Sequence, residues 1–406
     1  MNSSDKPNII LIMADDLGYE CLGCYGSESY KTPHLDRLAD TGMRFNHCYS
    51  QPLCTPSRVQ LMTGRYNFRN YKMFGYLDPN EITFGHILRD AGYKTCIAGK
   101  WQLSNGIEGP FHAGFDEYCL WQIYTAIARK DARGSRYADP KIYQNGALLE
   151  NTRGSYGPDV FCDYVLDFME RNKNKPFLVY YPMVLTHSPF VPTPESADWS
   201  NNKHESDVRY FADMVAYMDK MVGRIAHKLD QLKLRQKTLI LFIGDNGTPQ
   251  EIRSRFGGRW IQGGKRLMTD AGTHVPLIAN WQGVIPGNQV SEDLIDFSDF
   301  VPTLAECAGA NLPENWTIDG QSFYPLLCGK QASPREWVFM HYWGRGRNIF
   351  ETRRCARDKR YKLYDNAAFF DLRQDPLEQH PLEADAITGE LKHIKERLQT
   401  VLDRMK

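Results

Sequence analysis

The 406 residues carry 49 Lys plus Arg against 49 Asp plus Glu, and this formal net charge of zero supplies no global attraction to nucleic acid or to an anionic membrane surface. Hydrophobic residues at 42% and charged residues at 24% are the proportions of a folded chain rather than a disordered one, and the length exceeds what one compact core usually holds. Ten cysteines without a repeated spacing suit neither a disulfide-dense scaffold nor a zinc module, since Cys21 and Cys24 are not followed by a second pair at zinc spacing.

Residues 7–13 read as a continuous aliphatic strand of the kind buried on both faces of a parallel sheet, and it ends in Asp15-Asp16. Similar runs at 177–181 and 238–243 stop at Thr186-His187 and at Gly244-Asp245-Asn246-Gly247. Helical patterns lie between them at 33–42, 58–63, 84–92, 160–172 and 206–234. The alternation predicts an α/β sandwich with its site beyond the carboxyl ends of the strands. From about Trp337 the pattern changes to short alternating segments and then a charged helix over 388–405. We therefore expect a catalytic α/β domain over residues 1–335. A smaller α+β subdomain with a short antiparallel sheet, over 336–406, would close one side of the cleft. No apolar run is long enough to cross a bilayer, and no tripartite leader is present. The expectation is a soluble chain with no membrane partner, periplasmic or secreted if a leader was removed and otherwise cytoplasmic.

Asp15, Asp16, Asp245 and Asn246 offer hard oxygen ligands at two strand ends, the donor set of calcium or magnesium. Adjacent aspartates after a strand also serve as caps or turns, so the pairing of two such ends carries the point. Between them stands Cys54-Thr55-Pro56-Ser57-Arg58. An aspartate pair, a Cys-x-Pro-x-Arg segment and a later Asp-Asn pair, in that order, resemble the type I sulfatases. The resemblance extends to Gly99-Lys100-Trp101, to His187-Ser188-Pro189, to Gly264-Lys265, to Asp299 through Leu304 and to Phe370-Asp371-Leu372 with Asp375-Pro376. It implies an alkaline-phosphatase-like sandwich with a large mixed β-sheet between helices, and a small C-terminal subdomain.

The same resemblance implies that Cys54 is oxidised to formylglycine by a separate maturation enzyme, the hydrated aldehyde acting as nucleophile. Arg58, one turn along a helix begun at Cys54, would hold that hydrate. Calcium, or magnesium, at Asp15, Asp16, Asp245, Asn246 and the modified Cys54 would polarise a sulfate ester. Lys100 and Lys265 would neutralise its remaining oxygens, and His187 would protonate the leaving alcohol. Where the family usually has histidine two residues after the lysine of Gly-Lys-Trp, this chain has Gln102, which can orient a hydroxyl but not accept its proton. The missing base is then His274 or an activated water.

For substrate contact the candidates are Trp101, Gln102 and His274, the arginines Arg253, Arg255 and Arg345, and the rings of Trp121, Tyr124, Trp260 and Trp343. For each ring, core packing is the competing reading. The basic stretch Arg353 to Lys362 is a solvated face or a polyanion groove. Together these favour a sulfatase acting on a sulfated saccharide, a glycosaminoglycan or algal polysaccharide fragment. The alternatives are a formylglycine-dependent phosphonate monoester or phosphodiester hydrolase on the same scaffold, and a non-catalytic saccharide-binding homologue.

Overall fold

A computed structural model of the chain describes residues 6–124, 134–331, 333–343 and 353–405. In chain order the first twelve strands are β1 (Asn8–Ala14), β2 (Met43–Tyr49), β3 (Lys94–Lys100), β4 (Glu117–Trp121), β5 (Tyr143–Gln144), β6 (Ala147–Leu148), β7 (Phe177–Pro182), β8 (Thr238–Gly244), β9 (Arg253–Phe256), β10 (Arg259–Gln262), β11 (His274–Asn280) and β12 (Gln289–Asp296). All but β9 and β10, which form a separate hairpin, make one mixed sheet in the order β12-β2-β11-β8-β1-β7-β3-β4-β5-β6. Its centre is a parallel block, with β1 between β7 and β8 and β3 between β7 and β4.

The aliphatic run of β1 has a place on both sides of this sheet. Ile10, Ile12 and Ala14 enter one core with the helices Pro33–Asp40, Gly157–Arg171 and Phe211–Gln231, whereas Ile9, Leu11 and Met13 enter the other with Cys54–Thr63, Phe84–Asp90 and Phe300–Ala308. A strand covered on both faces keeps no polar alternation. One helical layer is tied across itself by Asp219, whose carboxylate accepts the backbone N–H groups of His34 and Leu35 at 3.0 and 2.8 Å and so caps the helix Pro33–Asp40 from its neighbour.

The helix predicted over 58–63 begins at Cys54, because Pro56 falls within the first turn where its absent N–H leaves no bond unmade. The helix is buried on every side, and its polar residues are paired internally. Gln60 bonds Asp296 at 2.7 Å and Gln51 at 2.7 Å, and Ser57 bonds the Gln51 carbonyl at 2.9 Å. Gly64 ends it in the left-handed region at φ 68°, the usual glycine stop. The long helix predicted over 206–234 is Phe211–Gln231, preceded by a 3-10 turn Val208–Tyr210.

The remaining strands, β13 (Val338–Tyr342), β14 (Arg353–Arg357), β15 (Tyr361–Tyr364) and β16 (Phe369–Asp371), form a small antiparallel sheet in that order. The helix Gly389–Arg404 covers it with Leu398, Val401 and Leu402 against Phe339, Ala356 and Leu363. The basic stretch here is divided between surface and interior: Arg353, Lys359 and Arg360 are exposed, whereas Arg357 and Lys362 are buried. Arg357 is buried against Asp270 at 2.5 Å and Lys362 against Glu378 at 2.9 Å, while the exposed Arg360 pairs with Asp371 at 2.6 Å. Of these pairs Arg357 with Asp270 ties the small sheet to the body of the molecule, helped by the Lys362 ammonium, which donates to the Met268 carbonyl. Among the described residues no helix is long and apolar enough to cross a membrane.

Candidate active site

The carboxyl ends of five adjacent parallel strands meet at one edge of the sheet. Beyond β1 lie Asp15 and Asp16, beyond β8 Asp245 and Asn246, at the end of β3 Lys100, beyond β7 His187, and at the end of β4 Trp121. The ladder continues past the strands: the Asp15 N–H donates to the Leu185 carbonyl at 2.7 Å, and that of Asp245 to Ala14 at 2.9 Å. The Asp16 N–H donates to Asp245 Oδ1 at 2.9 Å. These bonds set the metal-ligating candidates before any ligand is present. Gly247, next in line, approaches Ala271 so closely that a Cβ on it would stand 1.9 Å from the Ala271 carbonyl oxygen. Only glycine fits there.

The charges are interleaved. Lys100 Nζ donates to both oxygens of Asp15 at 2.8 Å, Lys265 Nζ reaches Asp16 Oδ2 at 2.5 Å, and Arg58 Nη2 donates to Asp245 Oδ2 at 2.9 Å. Arg58 Nε is buried without a hydrogen-bond partner among the described residues. Burial works to raise Asp15, but Lys100, His187 and Arg58 overcome it and hold its carboxyl at about 2. Asp245 moves the other way, to about 7, because burial and the neighbouring Asp15 charge outweigh Arg58 and Lys100.

These residues fit a hard divalent cation. Asn246 gives its amide N–H to Asp16 Oδ1 at 2.8 Å and keeps Oδ1 buried with no hydrogen-bond donor. Asp15, Asp16 and His187 each bring a possible ligand atom within 4.8 Å of one another, and with the unpaired Asn246 oxygen and the buried Asp245 carboxylate at the neighbouring strand end they suit a divalent cation. His187 Nε2 is 3.6 Å from Asp16, and its Nδ1–H donates to the Ser188 carbonyl at 2.6 Å. Burial, with Lys265, Arg136 and Lys100 nearby, lowers the pKa of His187 well below the ordinary histidine value.

Over these groups opens a cavity of about 430 Å³. Cys54 lies on it as the first residue of its helix, whose free backbone N–H groups favour an anion at that point. Asp16, Lys100, Gln102, His187 and Lys265 also line it, so the nucleophile candidate, both lysines and the histidine share one cavity. Arg58, Asp15, Asp245 and Asn246 sit beneath, fully buried.

Other candidates fall elsewhere. Trp101 is 1% exposed in the core, with its indole N–H on the Ser104 carbonyl at 2.7 Å, so it offers no face to a sugar. The chain leaves β3 at Lys100 and passes through left-handed backbone at Gln102, so the indole turns to the core while Lys100 and Gln102 line the cavity. His274 is stacked on Tyr19 at 4.1 Å and bonded to the Asn46 carbonyl at 2.8 Å, off the cavity. Burial and Arg357 bring its pKa down to about 4, and its place off the cavity, rather than that shift, sets it apart from Cys54. Arg253 and Arg255 are on the β9–β10 hairpin against Trp260, an exposed ring outside the cavity lining. Trp343 packs against a core cluster. Arg345 lies outside the described residues. Among the described residues, none of those lining the cavity comes from the small C-terminal sheet, so its expected closure of the cleft is not seen.

The sequence reading missed Gln122, Arg136, Gln250, Glu251 and Arg266, all on the cavity wall. Gln122 was within reach, since it follows Trp121 at a strand's carboxyl end. Arg136 stands in a stretch without periodicity and gave no signal.

Comparison with known proteins follows the same outline. The family described as Sulfatase matches residues 7–310, and that described as N-sulphoglucosamine sulphohydrolase, C-terminal, matches residues 258–405. The chain is 34% identical over 403 residues to arylsulfatase A of Homo sapiens, covering 91% of this chain and 77% of that one. It is 30% identical over 508 residues to steryl-sulfatase of Rattus norvegicus, covering 95% and 87%. A protein solved in complex with its substrate D-glucosamine-2-N,6-O-disulfate aligns with a TM-score of 0.77 at 22% identity, covering 98% of this chain and 97% of that one. The alkaline-phosphatase-like sandwich expected from the sequence is the fold observed.

Proposed function

The chain belongs to the sulfatase family of sulfuric ester hydrolases, and from that premise we propose that it removes O-sulfate from a sulfated saccharide, a glycosaminoglycan or algal polysaccharide fragment. The observation that carries this reading is the convergence of Cys54, Lys100, His187 and Lys265 on one cavity above the Asp15, Asp16, Asp245 and Asn246 oxygens. Conversion of Cys54 by a maturation enzyme puts a hydrated aldehyde at the start of its helix, where it can attack sulfur. Calcium or magnesium, when bound by those four oxygens, supplies the Lewis acid that polarises the ester.

The chain's own residues do the rest. Three cations, Arg58, Lys100 and Lys265, face three carboxylates, so a divalent ion leaves the site positive and selective for an anionic ester. With Nδ1–H fixed on Ser188, His187 has Nε2 left to take up a proton, which the bound anionic ester favours, and then to pass it to the leaving oxygen. The choice of a saccharide is supported by the wall, where among the described residues the amide and guanidinium groups of Gln102, Gln122, Gln250, Arg136 and Arg266 stand beside the apolar Leu53, Phe74, Trp121 and Pro249.

The test is inorganic sulfate release by protein matured with a formylglycine-generating enzyme, with Cys54→Ala as the blank. The panel holds sulfated mono- and disaccharides, 4-nitrophenyl sulfate and a steryl sulfate. Release from a sugar, lost in Cys54→Ala, supports the reading. Turnover confined to the aryl or steryl ester overturns the substrate class. Turnover of phosphonate or phosphodiester analogues alone moves the assignment to that chemistry, and saccharide binding without turnover moves it to a binding protein.

A further inference from the structure

Three polar side chains on the cavity wall each keep a buried atom without a hydrogen-bond partner among the described residues. Gln102 and Gln122 are 5% and 6% exposed, and the side-chain carbonyl oxygen of each is buried with no donor. Arg136 lies with its guanidinium 4.1 Å over the Trp121 ring, Nη1 buried and unbonded, and makes no ion pair among the described residues. All of them line the same cavity as Cys54.

Their placement is built by the fold. Lys100 and Trp121 are register partners on the parallel strands β3 and β4, and the ladder runs on past both strand ends, with the Gln102 N–H donating to the Gln122 carbonyl at 3.1 Å. Both glutamines take left-handed backbone, φ 58° and 61°, a conformation that costs a side-chain-bearing residue energy and persists where the surroundings impose it. The ring of Trp121 supports the flat face of Arg136, leaving the edge of its N–H fork for a ligand. Buried amide oxygens without donors and a supported guanidinium without a carboxylate are complementary to a ligand that brings both hydroxyls and a negative charge.

Resting on the saccharide reading above, we propose that Gln102, Gln122 and Arg136 form a recognition subsite beside the scissile sulfate, in which Arg136 takes a second anionic substituent of the substrate and the two carboxamides take its hydroxyls. The second anion is a carboxylate or another sulfate. The preferred substrate is then a sugar with two negative groups, one removed by the enzyme and one used for holding.

The experiment compares kcat/KM on saccharide pairs that share the scissile sulfate and differ in the second group: neutral, sulfated or uronate-bearing. Wild type is expected to favour one doubly anionic member by about tenfold or more over the neutral one. The sulfated and uronate arms tell which anion it is. Arg136→Gln is expected to collapse that ratio toward one, chiefly through KM, and Arg136→Lys to restore part of it. As a readout free of turnover, Cys54→Ala protein should bind the doubly anionic sugar more tightly than its Cys54→Ala/Arg136→Gln counterpart. Wild type indifferent to the second anion, or an Arg136→Gln loss equal on both members of a pair, overturns the subsite. Failure of every sugar in matured protein overturns instead the saccharide reading on which it rests.

Discussion

Asn246 bonds Asp16 through its amide nitrogen at 2.8 Å and leaves its carbonyl oxygen buried without a donor. The side chain is thereby fixed in the orientation that turns an oxygen, rather than N–H groups, to the space shared with the carboxylates. Replacing it by alanine removes one oxygen ligand and the bond that orients Asp16. Asn246→Ala is expected to weaken calcium binding by about 10- to 100-fold and to lower turnover with it. Isothermal titration of chelator-treated protein checks this, and an unchanged affinity would remove Asn246 from the ligand set.

Gln102 stands where relatives usually have histidine. Because its carboxamide oxygen is enclosed on the cavity wall beside Gln122, we expect it to serve the substrate rather than to mark a lost base. Gln102→His should therefore reduce kcat/KM on the preferred sugar by about tenfold, in line with a lost buried hydrogen bond. A rise in turnover would mean that the position lacks a base that histidine restores.

Trp101 belongs to the core and not to the substrate. Trp101→Phe is expected to lower stability by about 1 to 3 kcal/mol, through the lost bond to the Ser104 carbonyl and the unfilled volume. Denaturant unfolding measures it, and KM on any accepted sulfate ester should stay as in wild type. A large KM change without loss of stability would place the ring in the binding site.

The pair Arg357 and Asp270 couples the small sheet to the segment that precedes β11. Burial alone would raise Asp270, but Arg357, Lys362 and His274 hold it at about 2. A carboxyl whose pKa is lower folded than unfolded stabilises the protein above the unfolded value near 4 and loses that contribution as pH falls from there toward 2. Arg357→Ala leaves the carboxyl without its principal counter-charge and should cost about 3 to 5 kcal/mol at neutral pH. The variant should also show a shallower fall in melting temperature between pH 4 and 2. Equal acid sensitivity in both proteins would show that the pair does not govern it.

The chemistry-bearing residues were legible because each is tied to a local pattern. Asp15, Asp16, Asp245 and Asn246 follow aliphatic runs that can only be strands buried on both faces, and Cys54 begins a helix marked by Pro56 in its first turn. A parallel sheet then collects strand ends at one edge, so those residues converge without any contact being known in advance. Trp101 and His274 were misread because sequence shows a ring's proximity to a motif but not which way the strand turns it. The irregular backbone past the end of β3 sends Trp101 inward between two residues on the cavity, and β11, running antiparallel to β8, carries His274 into a stack with Tyr19. Arg357 and Lys362 were not distinguishable from their exposed neighbours in residues 353–362 because their carboxylates, Asp270 and Glu378, are distant in sequence or follow only after the strands have paired. Thus the amino-acid sequence by itself determined the family, the sheet and the reacting groups, which depend on short-range pattern. Only the tertiary structure decided the cavity wall, where Gln122 and Arg136 acquire their setting from neighbours that chain periodicity does not encode.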